Sequence, residues 1–249
     1  MAEMGVYEAM RTLKAVRRLK PDPIPDDVLH RVLEAATWAP TGGNQQPWRI
    51  IAVKDREKKN RLGAWYAERW SAFSKMYRSA IPADMPEEAR KRMLRTIAAG
   101  DYLAQHFGET PVIAIFCFNP KQMAITDAKQ NRPSVVGGGS VYPSVENLLI
   151  ACRAEGLGCV LTTLLCEVEP QVKELLAIPD GWGTAAAIPI GYPVGRGHGP
   201  LIRRPSNGSS TGFGRELKRP PIRPSRKRLR ACRPACWSAA IIPQTKLIR

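Results

Sequence analysis

The sequence predicts an α/β or α+β sandwich with a central sheet of four or five strands. Helix-like and strand-like segments alternate along the chain. Residues 111–118 form a charge-free run rich in Val, Ile and Phe, which is typical of a buried strand. A length of 249 residues allows one large domain with its own core. We therefore expect one folded domain, at residues 1–205.

Each element follows from a local pattern. Apolar residues at helical spacing follow Pro25, and Pro40 ends that helix. Further helices are predicted from about residue 56, at about 86–107, at 143–155 before the stop at Gly156, and at 170–176. The remaining strands are predicted at residues 49–54, 159–165 and 184–191.

The net charge of +16 is unevenly distributed along the chain. Eleven of the 38 Lys and Arg residues and one of the 22 acidic residues lie at 206–249, so this segment carries ten of the sixteen net positive charges. It is rich in Pro, Ser and Gly without periodicity, so we expect disorder. Its run from Arg226 to Arg230 carries enough positive charge to contact nucleic acid. We favour the alternative that the whole segment is a solvated extension.

Several function classes are disfavoured. The longest hydrophobic stretch, residues 111–118, is far shorter than the ~20 residues that span a bilayer, and no signal peptide is visible. We therefore expect a cytoplasmic protein without a membrane segment. The three histidines have no Ser or Cys partner placed by sequence, which disfavours a hydrolase triad. No metal site is predicted, because the six cysteines match no zinc pattern and the first four lie in apolar, core-like surroundings (Cys117, Cys152, Cys159, Cys166).

Two features together indicate a phosphate-bearing flavin. Residues 42–48 read Gly-Gly-Asn-Gln-Gln-Pro-Trp, a loop that can bring backbone and amide donors close to a flat polar ring. Basic clusters stand near both ends of the predicted domain, and arginines that meet in space can clamp a phosphate. These clusters are Lys14, Arg17 and Arg18 at one end and Arg203 and Arg204 at the other.

Other phosphate-binding loops do not fit the sequence. The glycine-rich segments at 137–140 and 195–199 lack Walker A spacing with its lysine. Neither segment lies between a strand and a helix, as a dinucleotide-binding loop must. P-loop and Rossmann sites are therefore excluded.

Several ordered motifs resemble those of the FMN-dependent nitroreductases. The first is Lys-Ala-Val-Arg-Arg-Leu-Lys-Pro at 14–21, and the second is Ala-Pro-Thr-Gly-Gly-Asn-Gln-Gln-Pro-Trp at 39–48. The third resembles the family's mid-chain helix and reads Gly-Ser-Val-Tyr-Pro-Ser-Val-Glu-Asn-Leu-Leu at 139–149, followed by Gly156-Leu157-Gly158. The fourth resembles the family's last core strand and reads Ile-Gly-Tyr-Pro at 190–193. The resemblance covers about residues 6–205 and implies an α+β sandwich with a mainly antiparallel sheet flanked by helices.

The resemblance also implies a set of cofactor contacts. The FMN phosphate would be bound by Arg17, with Lys14 or Arg18 and the adjoining Ala15, and by Arg203 or Arg204. Thr41, Gly42, Asn44 and Gln46 would lie along the ribityl chain and the pyrimidine edge. Pro143, Ser144 and Asn147 would contact the ring from the partner subunit, and backbone groups of Gly158, Val160 and Leu161 would approach N5. For each residue, an ordinary structural role is the alternative.

The implied activity depends on the flavin and not on a side-chain acid or base. NADH or NADPH would give hydride to flavin N5, and a small-molecule electron acceptor would then take the same place, which implies ping-pong kinetics. Nitroaromatics, quinones and activated enones are all candidate acceptors. The family is dimeric, so a homodimer with FMN at the interface is expected. Aromatic residues between Trp65 and about Ala99 are candidates for a substrate lid, or alternatively for core or dimer contacts.

From Ser206 onward the chain departs from the resemblance, because relatives continue with an apolar, acidic stretch. A shift of reading frame in the gene would account for this departure. Two other functions therefore stay open at the level of sequence. One is an FMN- or nucleic-acid-binding protein without turnover that uses the basic tail. The other is a flavin-dependent relative of the dehalogenase or flavin-destroying type.

Overall fold

The computed structural model describes residues 4–203. The basic segment predicted to be disordered lies outside these residues, as do Arg204, Cys232, Cys236 and the predicted domain boundary at 205. The described helices are α1 (Val6–Thr12), α2 (Asp26–Thr37), α3 (Arg56–Ser79), α4 (Glu87–His106), α5 (Tyr142–Ala154) and α6 (Glu169–Leu176). The strands are β1 (Trp48–Val53), β2 (Val112–Phe118), β3 (Gly158–Cys159) and β4 (Gly183–Gly191).

The four strands form one antiparallel sheet in the order β1-β2-β4-β3. β2 lies in the middle, and its residues from Val112 to Cys117 are buried. This agrees with the charge-free sequence of the strand, since a central strand covered on both faces needs apolar side chains on both. The predicted α+β sandwich with a mainly antiparallel sheet is confirmed.

Alternate residues of β2 and β4 point into two separate apolar clusters, one on each face of the sheet. On the first face, Ala114, Phe116 and Ile188 pack with residues of α2 and α5. On the second face, Ile113, Ile115 and Ala187 pack with residues of α3 and α4. The period of two along each strand therefore sets the three layers of the fold.

The prediction of a strand at residues 159–165 was wrong for most of its length. β3 ends at Cys159, although Thr162 still exchanges two backbone hydrogen bonds with Ala187 in the same register, and a 3-10 helix begins at Leu164. Pro189 lies on β4 at the position opposite Val160 in this register. Proline has no N–H to donate to the Val160 carbonyl, so the ladder is interrupted there.

The helix predictions at about 56–79, 86–107, 143–155 and 170–176 are confirmed by α3, α4, α5 and α6. α1 was not predicted from the sequence. Among the described cysteines, Cys117, Cys152 and Cys159 are buried and Cys166 is half-buried, and all four are free thiols. Burial raises the pKa of Cys117 to about 12, which makes a reactive thiolate at this position unfavourable.

Within residues 4–203, no three His, Cys, Asp or Glu side chains are grouped so that they could hold a metal ion. Over the same range, no helix combines the length and the apolar character required to cross a bilayer.

Candidate functional site

The basic residues near the N-terminus lie on an extended segment, residues 13–19, that runs along the open side of β3. Val16 N–H donates to the Cys159 carbonyl (2.9 Å), and Ala15 forms a parallel bridge with Cys159. Further along, Val194 N–H donates to the Arg18 carbonyl (2.9 Å). We call this segment, together with residues 158–161, the basic edge. Lys14, Ala15 and Arg18 are exposed on it, and Arg17 is half-buried.

Gly158 allows the basic edge to form. A Cβ atom at this position would lie 2.8 Å from both Val16 Cγ1 and Leu19 Cδ2. The predicted cofactor residue Gly158 therefore also has a clear structural role, because only glycine lets the 13–19 segment approach β3 this closely. Val160 is buried beside it and Leu161 is exposed, and the parallel register places Leu161 level with Arg17.

Aromatic side chains lie near the two arginines of the basic edge. The Arg18 guanidinium lies 4.3 Å from the centre of the Tyr102 ring, and that ring is tilted against His106. Burial raises the pKa of Tyr66, while a hydrogen bond with Thr162 and the charge of Arg17 act in the opposite direction. The sequence did not indicate Tyr102 as the partner of Arg18, because a cation–π pair between distant segments has no local signal.

The chain returns to the basic edge after β4. Gly199 N–H donates to the Thr12 carbonyl (3.1 Å), and a Cβ at Gly199 would lie 3.5 Å from Lys14 Nζ. His198 is buried, and its Nε2 is 2.8 Å from the Leu157 carbonyl. The structure thus brings the segment leading to Arg203 beside Lys14. Arg203 itself is exposed and donates to the neighbouring Ile202 carbonyl (3.0 Å).

The Gly- and amide-rich loop, residues 41–46, forms a second group, which we call the amide loop. Gly43, Asn44 and Gln46 have left-handed φ angles of 58°, 53° and 48°. Gln46 N–H donates to Thr41 Oγ1 (3.1 Å), and Gln46 Nε2 donates to Asn44 Oδ1 (3.1 Å). Asn44 and Gln45 remain exposed, so the loop presents side-chain amide groups at the surface.

The beginning of α5 holds the amide loop and the end of α2. Ser140 Oγ accepts a hydrogen bond from Gly42 N–H (3.1 Å). The hydroxyl of Ser144 donates to the Ala36 carbonyl (2.8 Å), and Asn147 Nδ2 donates to the Ala35 carbonyl (3.3 Å). Ser144 is fully buried and Pro143 is half-buried. Within this chain, the polar groups of Ser144 and Asn147 therefore satisfy the last carbonyls of α2.

The amide loop and the basic edge lie at opposite ends of α5. The amide loop contacts Ser140, just before the helix begins, whereas near its end Arg153 Nε donates to Thr12 Oγ1 (2.9 Å) beside the basic edge. α5 has 13 residues, which corresponds to about 20 Å. A single chain thus holds the two predicted groups of cofactor residues apart.

The aromatic residues of the candidate lid have different surroundings. Tyr66 is buried and stacked on Phe107, with ring centres 4.3 Å apart. The Trp70 indole N–H donates to Asp101 (2.8 Å), and its ring occupies the space where a Cβ of Gly100 would be. These two side chains are part of the core or of the α3–α4 contact. Tyr77, nearer the end of α3, is 39% exposed and is the better candidate for contact with another molecule.

Comparison with known proteins identifies related sequences and structures. A family model described as the Nitroreductase family matches residues 11–192. The chain is 28% identical over 191 residues to an NADH dehydrogenase from Thermus thermophilus, covering 74% of this chain and 85% of that protein. It is 29% identical over 191 residues to a 5,6-dimethylbenzimidazole synthase from Rhodospirillum rubrum, covering 76% of this chain and 82% of that protein.

Among solved structures, oxidised iodotyrosine deiodinase bound to FMN and 3-iodo-L-tyrosine has a similar fold. The TM-score is 0.58 at 24% sequence identity, over 82% of this chain and 95% of the deiodinase chain. This likeness agrees with the sheet and helix layers described above. Because the family model spans most of the chain, this protein belongs to the nitroreductase family.

Proposed function

We propose that this protein is an FMN-dependent oxidoreductase that accepts hydride from NADH or NADPH and reduces a small-molecule acceptor. The observation that carries the proposal is the basic edge. Lys14, Arg17 and Arg18 project from a segment whose backbone is already bonded to the sheet. Cations held on a rigid backbone are suited to a phosphate group.

The chemistry of these residues fits FMN. The phosphate would be bound by Lys14 and Arg17, with Arg18 and the residues after Gly199 beside them. The polar edge of the flavin ring would meet Thr41, Gly42, Asn44 and Gln46 of the amide loop, which presents neutral donors on a short loop. Val160 and Leu161 follow the end of β3, and we expect their backbone to contact the ring.

The separation of the two groups supports a homodimer. The basic edge and the amide loop lie about 20 Å apart along α5. Within one chain this distance is too large for a single flavin ring to contact both. A partner subunit would bring its own amide loop to the basic edge. Exposed apolar residues at the surface, such as Tyr7, Met10 and Trp38, agree with burial in such an interface.

When bound, FMN would supply the hydride-accepting and hydride-donating chemistry. The residues of the chain would have three tasks. Arg17 and Lys14 would neutralise the phosphate, the amide loop would orient the ring, and donors near its pyrimidine edge would stabilise negative charge that develops there. The acceptors that we propose are nitroaromatics, quinones or activated enones.

FMN titration of the flavin-free, full-length protein tests cofactor binding. We expect Arg17→Ala to weaken FMN binding by about 10- to 100-fold, because a charge-assisted hydrogen bond contributes about 1.5–3 kcal/mol. Arg56→Ala, which removes an exposed cation at the start of α3, is the matched control and should bind like the wild type. Equal loss in both variants, or no FMN binding by the wild type, would contradict the proposal.

Anaerobic addition of NADPH, and separately of NADH, to the FMN-loaded protein tests turnover. Bleaching of the flavin bands, followed by their return with a nitroaromatic or a quinone, would support the reductase. Return only with a halogenated tyrosine would favour a dehalogenase, to which the structural likeness to iodotyrosine deiodinase points. Bound FMN that neither nucleotide reduces would favour a binding protein without turnover.

A further inference from the structure

We infer that Ser140 is a positioning residue that holds the amide loop in its binding conformation. The inference rests on the proposed function, because the amide loop matters only if it meets a cofactor. Ser140 lies just before α5, and its Oγ accepts the hydrogen bond from Gly42 N–H (3.1 Å). Nothing in its position requires it to touch the cofactor itself.

The amide loop needs such a restraint because its backbone is strained. Asn44 and Gln46 carry side chains and still have φ angles of 53° and 48°. Left-handed backbone is unfavourable for residues with a Cβ, and it persists only where the surroundings impose it. Asn tolerates this conformation better than most residues, while Gln46 has no such advantage.

Few contacts from outside hold the loop in this conformation. Within it, Thr41 Oγ1 accepts from Gln46 N–H, and the backbone bonds Asn44 N–H to Thr41 O and Gln45 N–H to Gly42 O close its turns. At its end, the Pro47 carbonyl accepts from Asn119 N–H (2.8 Å). The bond from Gly42 to Ser140 fixes the other end against a separate part of the fold.

Ser140 follows a hydrogen-bonded turn that begins at a buried carboxylate. Asp127 accepts from the Ser134 hydroxyl (2.6 Å) and from Arg132 (2.7 Å), and Ser134 Oγ accepts from Gly137 N–H (3.2 Å). The Ser134 hydroxyl and then Arg132 lower the pKa of Asp127. The triglycine segment, residues 137–139, then leads to Ser140. On the far side of Ser140, Val141 N–H donates to the Gly138 carbonyl (3.0 Å), so Ser140 lies between two hydrogen-bonded neighbours.

The test compares Ser140→Ala, which removes the acceptor, with Ser140→Thr, which keeps it. Thr37→Val is the matched control, because Thr37 Oγ1 donates to the Glu34 carbonyl (2.7 Å) within the last turn of α2 and does not reach the loop. Two quantities are measured on the full-length protein. The first is amide hydrogen exchange of residues 41–47 without flavin, and the second is the Kd for FMN by flavin fluorescence.

We expect Ser140→Ala to speed exchange at Gly42 and its neighbours while the melting temperature stays close to that of the wild type. Its Kd for FMN should rise by about three- to tenfold, the loss expected for one neutral hydrogen bond. Ser140→Thr and Thr37→Val should match the wild type in both measurements. A shift in the visible circular dichroism of bound FMN in Ser140→Ala alone would add to the support.

Two outcomes would overturn the inference. Unchanged exchange in Ser140→Ala would mean that the loop holds its own shape. Faster exchange with an unchanged Kd would mean that the loop conformation is unimportant for the cofactor. Failure of the proposed function is distinguishable from both, because in that case the wild type would not bind FMN, whereas the exchange measurement would still report on the loop.

Discussion

The basic edge presents charged donors and the amide loop presents neutral ones, and the two regions are held in different ways. The basic edge is fixed by backbone pairing of residues 13–19 to β3 and to the residues just after β4, and by the close approach of Val16 and Leu19 to Gly158. The amide loop is fixed by backbone N–H groups that donate to the hydroxyl groups of Ser140 and Thr41, and it contains three left-handed residues. The first region therefore depends on steric fit, and the second depends on backbone conformation and on a few hydroxyl groups.

The largest effect on stability is expected at Gly158, where the structure depends on steric fit. Gly158→Ala would place a Cβ 2.8 Å from Val16 Cγ1, and a β-branched valine cannot easily move away. We expect a loss of about 3 kcal/mol in the free energy of unfolding, at the upper end for overpacking. Urea denaturation of the flavin-free protein would measure it.

Gly137→Ala is the control for this substitution, since a Cβ there would meet no atom closer than 3.6 Å. It should change stability by less than about 0.5 kcal/mol. If both variants are equally stable, the basic edge is more adaptable than its close contacts indicate.

A smaller effect is expected in the amide loop. Gly43 has a φ of 58°, so Gly43→Ala should cost about 1 kcal/mol through left-handed strain. Gly42→Ala is the matched comparison, because its added Cβ would make only an ordinary contact at 3.7 Å with Ser140 Oγ. The difference between their melting temperatures measures the strain. Identical melting temperatures would show that the loop relaxes at little cost.

The smallest effect is a dependence of the free energy of unfolding on pH. We expect it to arise from His198, which lies beside the basic edge. Burial, together with the charges of Arg153 and Lys14, lowers the pKa of His198 below its ordinary value of 6.5, although the bond to the Leu157 carbonyl opposes this. Between these two values the unfolded chain binds more protons than the folded one. Stability should therefore be full above about pH 6.5 and should fall as the pH decreases towards the folded pKa.

Urea denaturation at a series of pH values between about 7 and 5 would measure this slope. His198→Gln retains a donor for the Leu157 carbonyl and should flatten the profile. His30→Gln, a change at an exposed residue of α2, should leave the slope unchanged. A slope that persists in His198→Gln would assign the pH dependence to other groups.

Most of the fold could be predicted from the sequence because its signals are local. The charge-free run at 111–118 indicated a strand with two covered faces, and helical spacing with stop signals such as Gly156 indicated α5. The missed end of β3 has a different cause. Whether residue 160 continues the ladder depends on Pro189, almost thirty residues away, and no local pattern in 159–165 carries that information.

The candidate site likewise has features that the local sequence determines and contacts that only packing determines. The residue types and their order on the chain determined the basic segment, the amide loop and membership of the nitroreductase family, because short motifs keep their chemistry wherever the chain places them. Only the tertiary structure decided which groups meet. It paired residues 13–19 with β3, placed Ser140 against Gly42, directed Ser144 and Asn147 to the carbonyls of α2, and separated the basic edge from the amide loop by the length of α5. Such contacts join residues far apart in sequence, so they depend on packing and register, which local patterns do not contain.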